Sequence, residues 1–297
     1  MMIRIENLYI SFKDKEVLKG LNLNIPQNSV FGFIGKNGAG KTTTMKAILG
    51  LLTPDSGKVF VDGKEVVFGG TNTNKIIGYL PDVPEFYSFM TAGEFLQFCA
   101  EITNMEKELI KPRIEEILTL VGLDNETHFI KGFSRGMKQR LGIAQALLNK
   151  PKILICDEPT SALDPIGRKE ILDILKSVSS ETTVLFSTHI LSDVEKICTD
   201  VAVLHDGVIK IQGKLDELKS LHKKEEISLV FDREEDLNIL LEKFDYISKK
   251  QANQTSFYLD GNNLYEVLNY ISLNKLSLVK LEKNELTLES LFMEVVK

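Results

Sequence analysis

The sequence predicts an α/β core with a mixed or parallel sheet, a helical subdomain inserted into it, and a small α+β domain after it. Three observations predict this. Short apolar strands alternate with helical patterns through the first two thirds of the chain, as expected of a sheet buried on both faces. From residue 92 to 149 the strand signal stops and only helical periodicity remains. Beyond about residue 226 the order reads β-α-β-β-α-β, which suggests a ferredoxin-like unit.

The strand runs, in order, are MIRIENL, LNLNI, VFGFIG, KVFVDG, IIGYL, KILICDE, TVLFSTH, VAVLHDG and VIKIQG. Helices are predicted over residues 40–52, 92–102, 108–121, 134–148, 166–177 and 193–198. Capping boxes mark two starts, TAGE at 91–94 and SDVE at 192–195. The texture changes within 214–226, so a first, α/β domain is expected over 1–220, its helical subdomain at about 83–150. A smaller domain is expected over 221–297, ending in a helix from TLESLFMEVV.

Composition narrows the function classes. A chain of 297 residues, 43% of them hydrophobic, can bury a sizeable core. A net charge of −6 argues against a general nucleic-acid or anionic-lipid binder, so no nucleic-acid partner is expected. Cys99, Cys156 and Cys198 are odd in number and widely spaced in apolar surroundings, which reads as reduced core thiols. The opening MMIRIENLYI carries charges in its apolar stretch and no cleavage pattern, unlike a secretion signal. No run approaches the ~18 apolar residues of a membrane span. Any work at a membrane is therefore expected to go through a partner that spans it.

Residues 35–42 spell G-x-x-x-x-G-K-T, after the strand VFGFI and before a helix. That is the context of a phosphate-binding P-loop. Gly35, Gly38 and Gly40 allow close backbone approach, with Lys36, Asn37 and Ala39 between them. Successive N–H groups can then face phosphate oxygens at a helix N-terminus that continues through Thr43. Lys41 is suited to the β- and γ-phosphates and the Thr42 hydroxyl to Mg²⁺. The strand in KILICDEPTSALD supplies the carboxylate such a metal needs, Asp157, expected beside Thr42. Glu158 follows; strand alternation is expected to point it elsewhere, free to orient water.

A second anion-friendly turn lies in GFSRGMKQRLGIAQALL. Ser134 is a good N-cap, Arg135 follows, and the N–H groups at Gly136 and Met137 open a helix. Nothing near it in sequence holds the rest of a nucleotide, so it suits a lid better than a pocket.

Taken together, GKNGAGKTT, FSRGMKQRL, ILICDEPTSALD and STH resemble the ATP-binding subunits of ABC (ATP-binding cassette) transporters, over about residues 3–212. The resemblance implies ATP and Mg²⁺ as ligands and ATP hydrolysis as the reaction. It implies a second ATPase copy, identical or not, packed head to tail so that Ser134, Arg135, Gly136 and Met137 close over nucleotide held by the other chain. It also implies a separate membrane-spanning permease, and so a place on the cytoplasmic face of the cell membrane. Glu158 and His189 then serve the γ-phosphate side with Lys41, and Asp164 links the two sites. Phe12 either stacks on adenine or is an ordinary turn aromatic.

The chain departs from the family pattern where many members have Gln and it has Asp82, a carboxylate able to reach the metal. Arg135 and Met137 stand in place of Gly and Gln, and Arg135 either adds a donor to the phosphate or faces solvent. The GMKQR variant and the C-terminal extension look like the drug-, lantibiotic- and bacitracin-export branch. The aromatic-rich stretch VPEFYSFMTAGEFLQF either receives the permease or is core. A soluble, non-transport ABC ATPase and a nucleotide-dependent regulatory module are the rival readings. His128, His205 and His222 match no motif and show no metal-ligand spacing.

Overall fold

The computed structural model describes residues 1–13, 15–70, 72–221, 226–251, 253–258 and 263–284. It divides into two compact units, Met1–Leu215 and Asp216–Lys297.

The first unit opens with β1 (Ile3–Phe12), β2 (Lys15–Ile25), β3 (Val30–Ile34) and α1 (Lys41–Ile48). Next come β4 (Ser56–Val61), the short β5 (Lys64–Glu65) and β6 (Ile77–Leu80). Three helices follow: α2 (Ala92–Ile102), α3 (Lys107–Leu120) and α4 (Arg135–Leu147). The chain then runs through β7 (Ile153–Cys156), α5 (Pro165–Val178), β8 (Thr183–Thr188), α6 (Leu191–Ile197), β9 (Asp200–His205) and β10 (Val208–Lys214). α7 (Leu215–Leu221) straddles the division between units.

These strands form two sheets. One is antiparallel, β2-β1-β4-β5, and the other has six strands, β10-β9-β3-β8-β7-β6. β3, β6, β7, β8 and β9 run parallel to one another, and β10 returns antiparallel to β9 at the edge. Burial explains the split. β3, β7 and β8 are buried at every position, as strands covered on both faces are. β1 and β2 instead alternate buried and exposed, so they cover the core with one face only. The shared core takes Leu8 and Leu23 from the antiparallel sheet, Phe31, Phe33 and Ile155 from the parallel one, and Met45 and Ile48 from α1. Each such side chain, fully buried, contributes about 1.5–3 kcal/mol.

α1 is shorter than the predicted 40–52. Gly50 has φ +67°, its N–H donates to Ala47 O, and Leu51 N–H donates to Lys46 O, which closes the helix after Ile48. The capping box at α2 is formed: Thr91 Oγ1 accepts from Glu94 N–H, and Glu94 Oε2 accepts from Thr91 N–H. The one predicted for SDVE is not. α6 begins at Leu191, which puts Ser192 inside its first turn. Asp193 faces inward instead, fully buried, and accepts from Thr160 Oγ1 at 2.8 Å. In the helical subdomain, Arg113 donates to Leu147 O and Leu148 O, a cation at the carboxyl end of α4 where the helix dipole favours it.

The second unit contains β11 (Glu226–Phe231), α8 (Glu234–Lys243), β12 (Ser248–Gln251), β13 (Gln254–Tyr258), α9 (Asn263–Leu273) and β14 (Leu278–Asn284). Its sheet order is β12-β13-β11-β14, antiparallel throughout. That is the split β-α-β arrangement expected of a ferredoxin-like unit. Ile227, Leu229 and Phe231 of β11 pack with Leu237, Leu240 and Val267 from the helices. The helix expected from TLESLFMEVV, and His222, lie outside the described residues.

Candidate functional site

Because β3, β8, β7 and β6 are parallel neighbours, the loops leaving their carboxyl ends gather along one edge. Open parallel sheets place ligand sites there. The P-loop follows β3, Asp157 and Glu158 follow β7, His189 follows β8 and Asp82 follows β6. They enclose a cavity of about 460 Å³. Phe12, the P-loop residues Asn37, Gly38, Gly40, Lys41, Thr42 and Thr43, and the later Asp82, Asp157, Glu158 and His189 line it. Phe12 is half exposed at this wall. Gly35, Lys36 and Ala39 belong to the loop without lining the cavity.

The loop is held in a form that requires a glycine at position 40. Gly40, which precedes the first turn of α1, has φ +110°, and a Cβ there would lie 2.8 Å from Leu18 Cδ2. No acidic residue occupies the first turn of α1, so its positive end is uncompensated toward the cavity. Lys41 is almost fully buried; its Nζ donates to Gly35 O at 2.7 Å and lies 3.0 Å from Glu158 Oε1.

Thr42 Oγ1 donates to Asp157 Oδ2 at 2.7 Å. The other carboxylate oxygen, Oδ1, accepts from Ser187 Oγ at 2.6 Å. Ser187 in turn accepts the Glu158 N–H at 2.9 Å. Ser187 is the first residue of the STH motif, but the sequence assigned a role only to His189, two positions on; a polar residue in an otherwise buried strand was the further signal. Glu158 also differs from expectation. β7 ends at Cys156, so strand alternation does not aim this side chain. A left-handed backbone does, at φ +48°. That conformation costs of order 1–2 kcal/mol in a non-glycine residue. The carboxylate is engaged on both oxygens, Oε1 with Lys41 and Oε2 with His189 Nδ1 at 2.9 Å. Here it is not free.

The second anion-friendly turn lies apart. Ser134 Oγ accepts from Met137 N–H at 3.2 Å and caps α4. Ser134, Gly136 and Met137 do not line the cavity. A Cβ on Gly136 would find nothing nearer than Ser134 Oγ at 3.9 Å among the described residues, so packing within the chain does not require a glycine there. Arg135 reaches back, its Nη2 lying 3.8 Å from Asp82 Oδ1. Two of the three departures from the family pattern thus face each other. Burial pushes the Asp82 carboxyl up; nearby Asp157 and Glu158 add to that, while Arg135 and His189 oppose it. Asp164 caps α5, accepting from Gly167 N–H at 3.0 Å.

Among the described residues, no cluster of three or more His, Cys, Asp or Glu side chains could hold a metal by itself. Thr42 and Asp157 offer two hard oxygen ligands, the sparse set from which Mg²⁺ is usually held when phosphates supply the rest. The donor set fits.

A glycine-rich loop on a helix N-terminus, a buried lysine and a Thr–Asp pair at a parallel-sheet edge define a P-loop nucleotide-binding ATPase. Comparison with known proteins narrows this. Residues 18–161 match the family model described as ABC transporter, and residues 213–296 match the C-terminal domain of DrrA1-3-like ATP-binding proteins. An uncharacterized ABC transporter ATP-binding protein of Bacillus subtilis, YxlF, is 39% identical over 99% of both chains. The bacitracin transport ATP-binding protein BcrA of Bacillus licheniformis is 40% identical over 75% of this chain and 73% of its own. The solved structure of cbiO1 from Clostridium perfringens, part of the transporter complex cbiONQ, superposes with a TM-score of 0.69. It is 30% identical and covers 74% of this chain and 90% of its own. The chain belongs to the ATP-binding subunits of ABC transporters: it is an ATPase that serves a separate membrane permease.

Proposed function

We propose that two copies of this chain bind ATP and Mg²⁺ head to tail, close around the nucleotides, hydrolyse them and reopen, driving a permease that exports a drug- or antibiotic-like compound. One observation carries the shared-site reading. Lys41, Thr42, Asp157, Glu158 and His189 line one cavity, while Ser134, Gly136 and Met137 at the capped N-terminus of α4 do not line it.

Thr42 and Asp157 would hold Mg²⁺, whose charge offsets that of the phosphates when bound. Lys41 leaves Glu158 for the β- and γ-phosphates, which frees a carboxylate to orient or deprotonate the attacking water. Such a base is worth ~10²–10⁴-fold in rate. His189, already beside Glu158, holds the γ-phosphate side. Phe12 stacks on the base. Ser134, Gly136 and Met137 of the opposite chain cover the γ-phosphate with the positive end of α4, and Arg135 adds a donor once it leaves Asp82. Asp82 can then turn to the metal's water shell, and the Asp164 loop relays closure between sites. ATP favours the closed dimer by its differential affinity, and hydrolysis removes that bias.

No helix among the described residues is long and apolar enough to cross a membrane, so attachment goes through the permease. The landing site is a groove of about 520 Å³ in the helical subdomain, walled by Glu85, Phe86, Tyr87, Phe95 and Phe98. Only Phe95 of these rings is core; Tyr87 is half exposed and stacks edge-on with Phe98 at 5.5 Å between centroids. Export by a BcrA-like system is supported by the likeness to BcrA and by the C-terminal match. In the test, the native protein is recovered from its cells with membranes. Co-purification with a multispanning subunit is expected, and a protein found wholly in the supernatant would contradict the assignment.

A further inference from the structure

We propose that Ser187 is a positioning residue for ATP hydrolysis, its single hydroxyl setting Asp157 and Glu158 together. The inference rests on the roles given above to those two carboxylates.

β8 lies between β3 and β7, so its carboxyl end is wedged between the P-loop and the acidic loop. Every residue of β8 is buried, and all but Ser187 and its threonines are apolar. Ser187 is fully buried, and its hydroxyl works in both directions: it donates to Asp157 Oδ1 and accepts from the Glu158 N–H. The donated bond fixes a plane. With Thr42 on Oδ2 and Ser187 on Oδ1, the Asp157 carboxylate cannot swing away from the metal position. The accepted bond fixes a backbone. Glu158 sits in the left-handed region, and this N–H is what ties that turn to the neighbouring strand. Two residues along, just past the end of β8, His189 meets the Glu158 side chain, so residues 187–189 hold both ends of the glutamate. An alanine supplies neither bond. A cysteine keeps the volume, but its thiol is a weak donor and a weak acceptor.

The test compares wild type, Ser187→Ala, Ser187→Cys and Glu158→Gln. Misplacing catalytic groups by about 1 Å costs on the order of 100-fold, so both Ser187 variants are expected to lose about 10- to 100-fold in kcat. The second readout needs no turnover. The Mg²⁺ concentration for half-maximal binding of a non-hydrolysable ATP analogue should rise by about tenfold, while binding of the same analogue in EDTA stays unchanged. A residue that merely fills space would leave the Mg²⁺ requirement alone. Thermal melts report folding, and Ser187→Cys preserves the packing if the alanine variant melts early. A folded Ser187 variant with kcat and Mg²⁺ dependence within twofold of wild type would overturn the proposal. If Glu158→Gln hydrolyses ATP at the wild-type rate, the role of Glu158 has failed, whatever the serine does.

Discussion

Glu158→Gln separates binding from chemistry, and the structure says by how much. Lys41 Nζ lies 3.0 Å from Glu158 Oε1, with both side chains largely buried. At an effective dielectric of about 20 their gross attraction is about 5–6 kcal/mol, most of it cancelled by desolvation of the two groups. ATP must break this pair to recruit Lys41. Glutamine removes the competing charge, and a surviving net term of about 1.4 kcal/mol corresponds to tenfold in affinity. The variant should therefore bind ATP as tightly as wild type or up to about tenfold tighter, while turnover falls ~10²–10⁴-fold. Calorimetry gives the affinity, phosphate release the rate, and a sizing column the assembly: ATP should accumulate dimers. Weaker ATP binding would refute the exchange of Lys41 between Glu158 and phosphate. Tight binding by a protein that stays monomeric at high concentration would refute the shared site.

Two further outcomes follow from the surroundings of this centre. Burial raises the Asp82 carboxyl, so between the ordinary aspartate range and its raised value the folded state holds more proton than the unfolded. Stability therefore falls as pH rises through that window. Asp82→Asn should flatten this slope and raise Tm at neutral pH; a lower Tm at neutral pH would show that the Arg135 pair outweighs burial. Glu85→Lys, at the mouth of the aromatic groove, should reduce recovery with the membrane subunit and leave ATP hydrolysis by the isolated protein intact. Unchanged co-purification would move the docking surface elsewhere.

The parts of the site written as contiguous spacing were legible in the sequence. GKNGAGKTT and the acidic end of ILICDE carry their geometry locally, and Thr42 and Asp157 do lie 2.7 Å apart. What tertiary structure decides was not legible. The Ser187 bonds join residues 29 and 30 positions apart on neighbouring strands, and no local pattern encodes them. The left-handed turn at Glu158 was missed because it depends on where β7 stops. Asp82 and Arg135 were each noticed as departures, yet their facing positions depend on how α4 packs against the end of β6. The fold reads similarly. The order of elements revealed the second unit, whose sheet is indeed antiparallel in the ferredoxin-like order. The division of the first unit into two sheets depends on which strands are covered on both faces, a property of packing.

The most direct measurement mixes two inactive variants. Lys41→Ala disables the P-loop, and Gly136→Asp places a carboxylate where α4 would cover the other chain's phosphate. A Cβ added at Gly136 meets nothing closer than Ser134 Oγ at 3.9 Å among the described residues, and an acid in the first turn of a helix does not destabilise it. Each variant alone should be nearly inactive. In an equimolar mixture of symmetric dimers, half are mixed and each of those keeps one intact site, so activity should return to about a quarter of wild type. A mixture no more active than its components, or full hydrolysis by Gly136→Asp alone, would mean that each chain completes its own reaction centre.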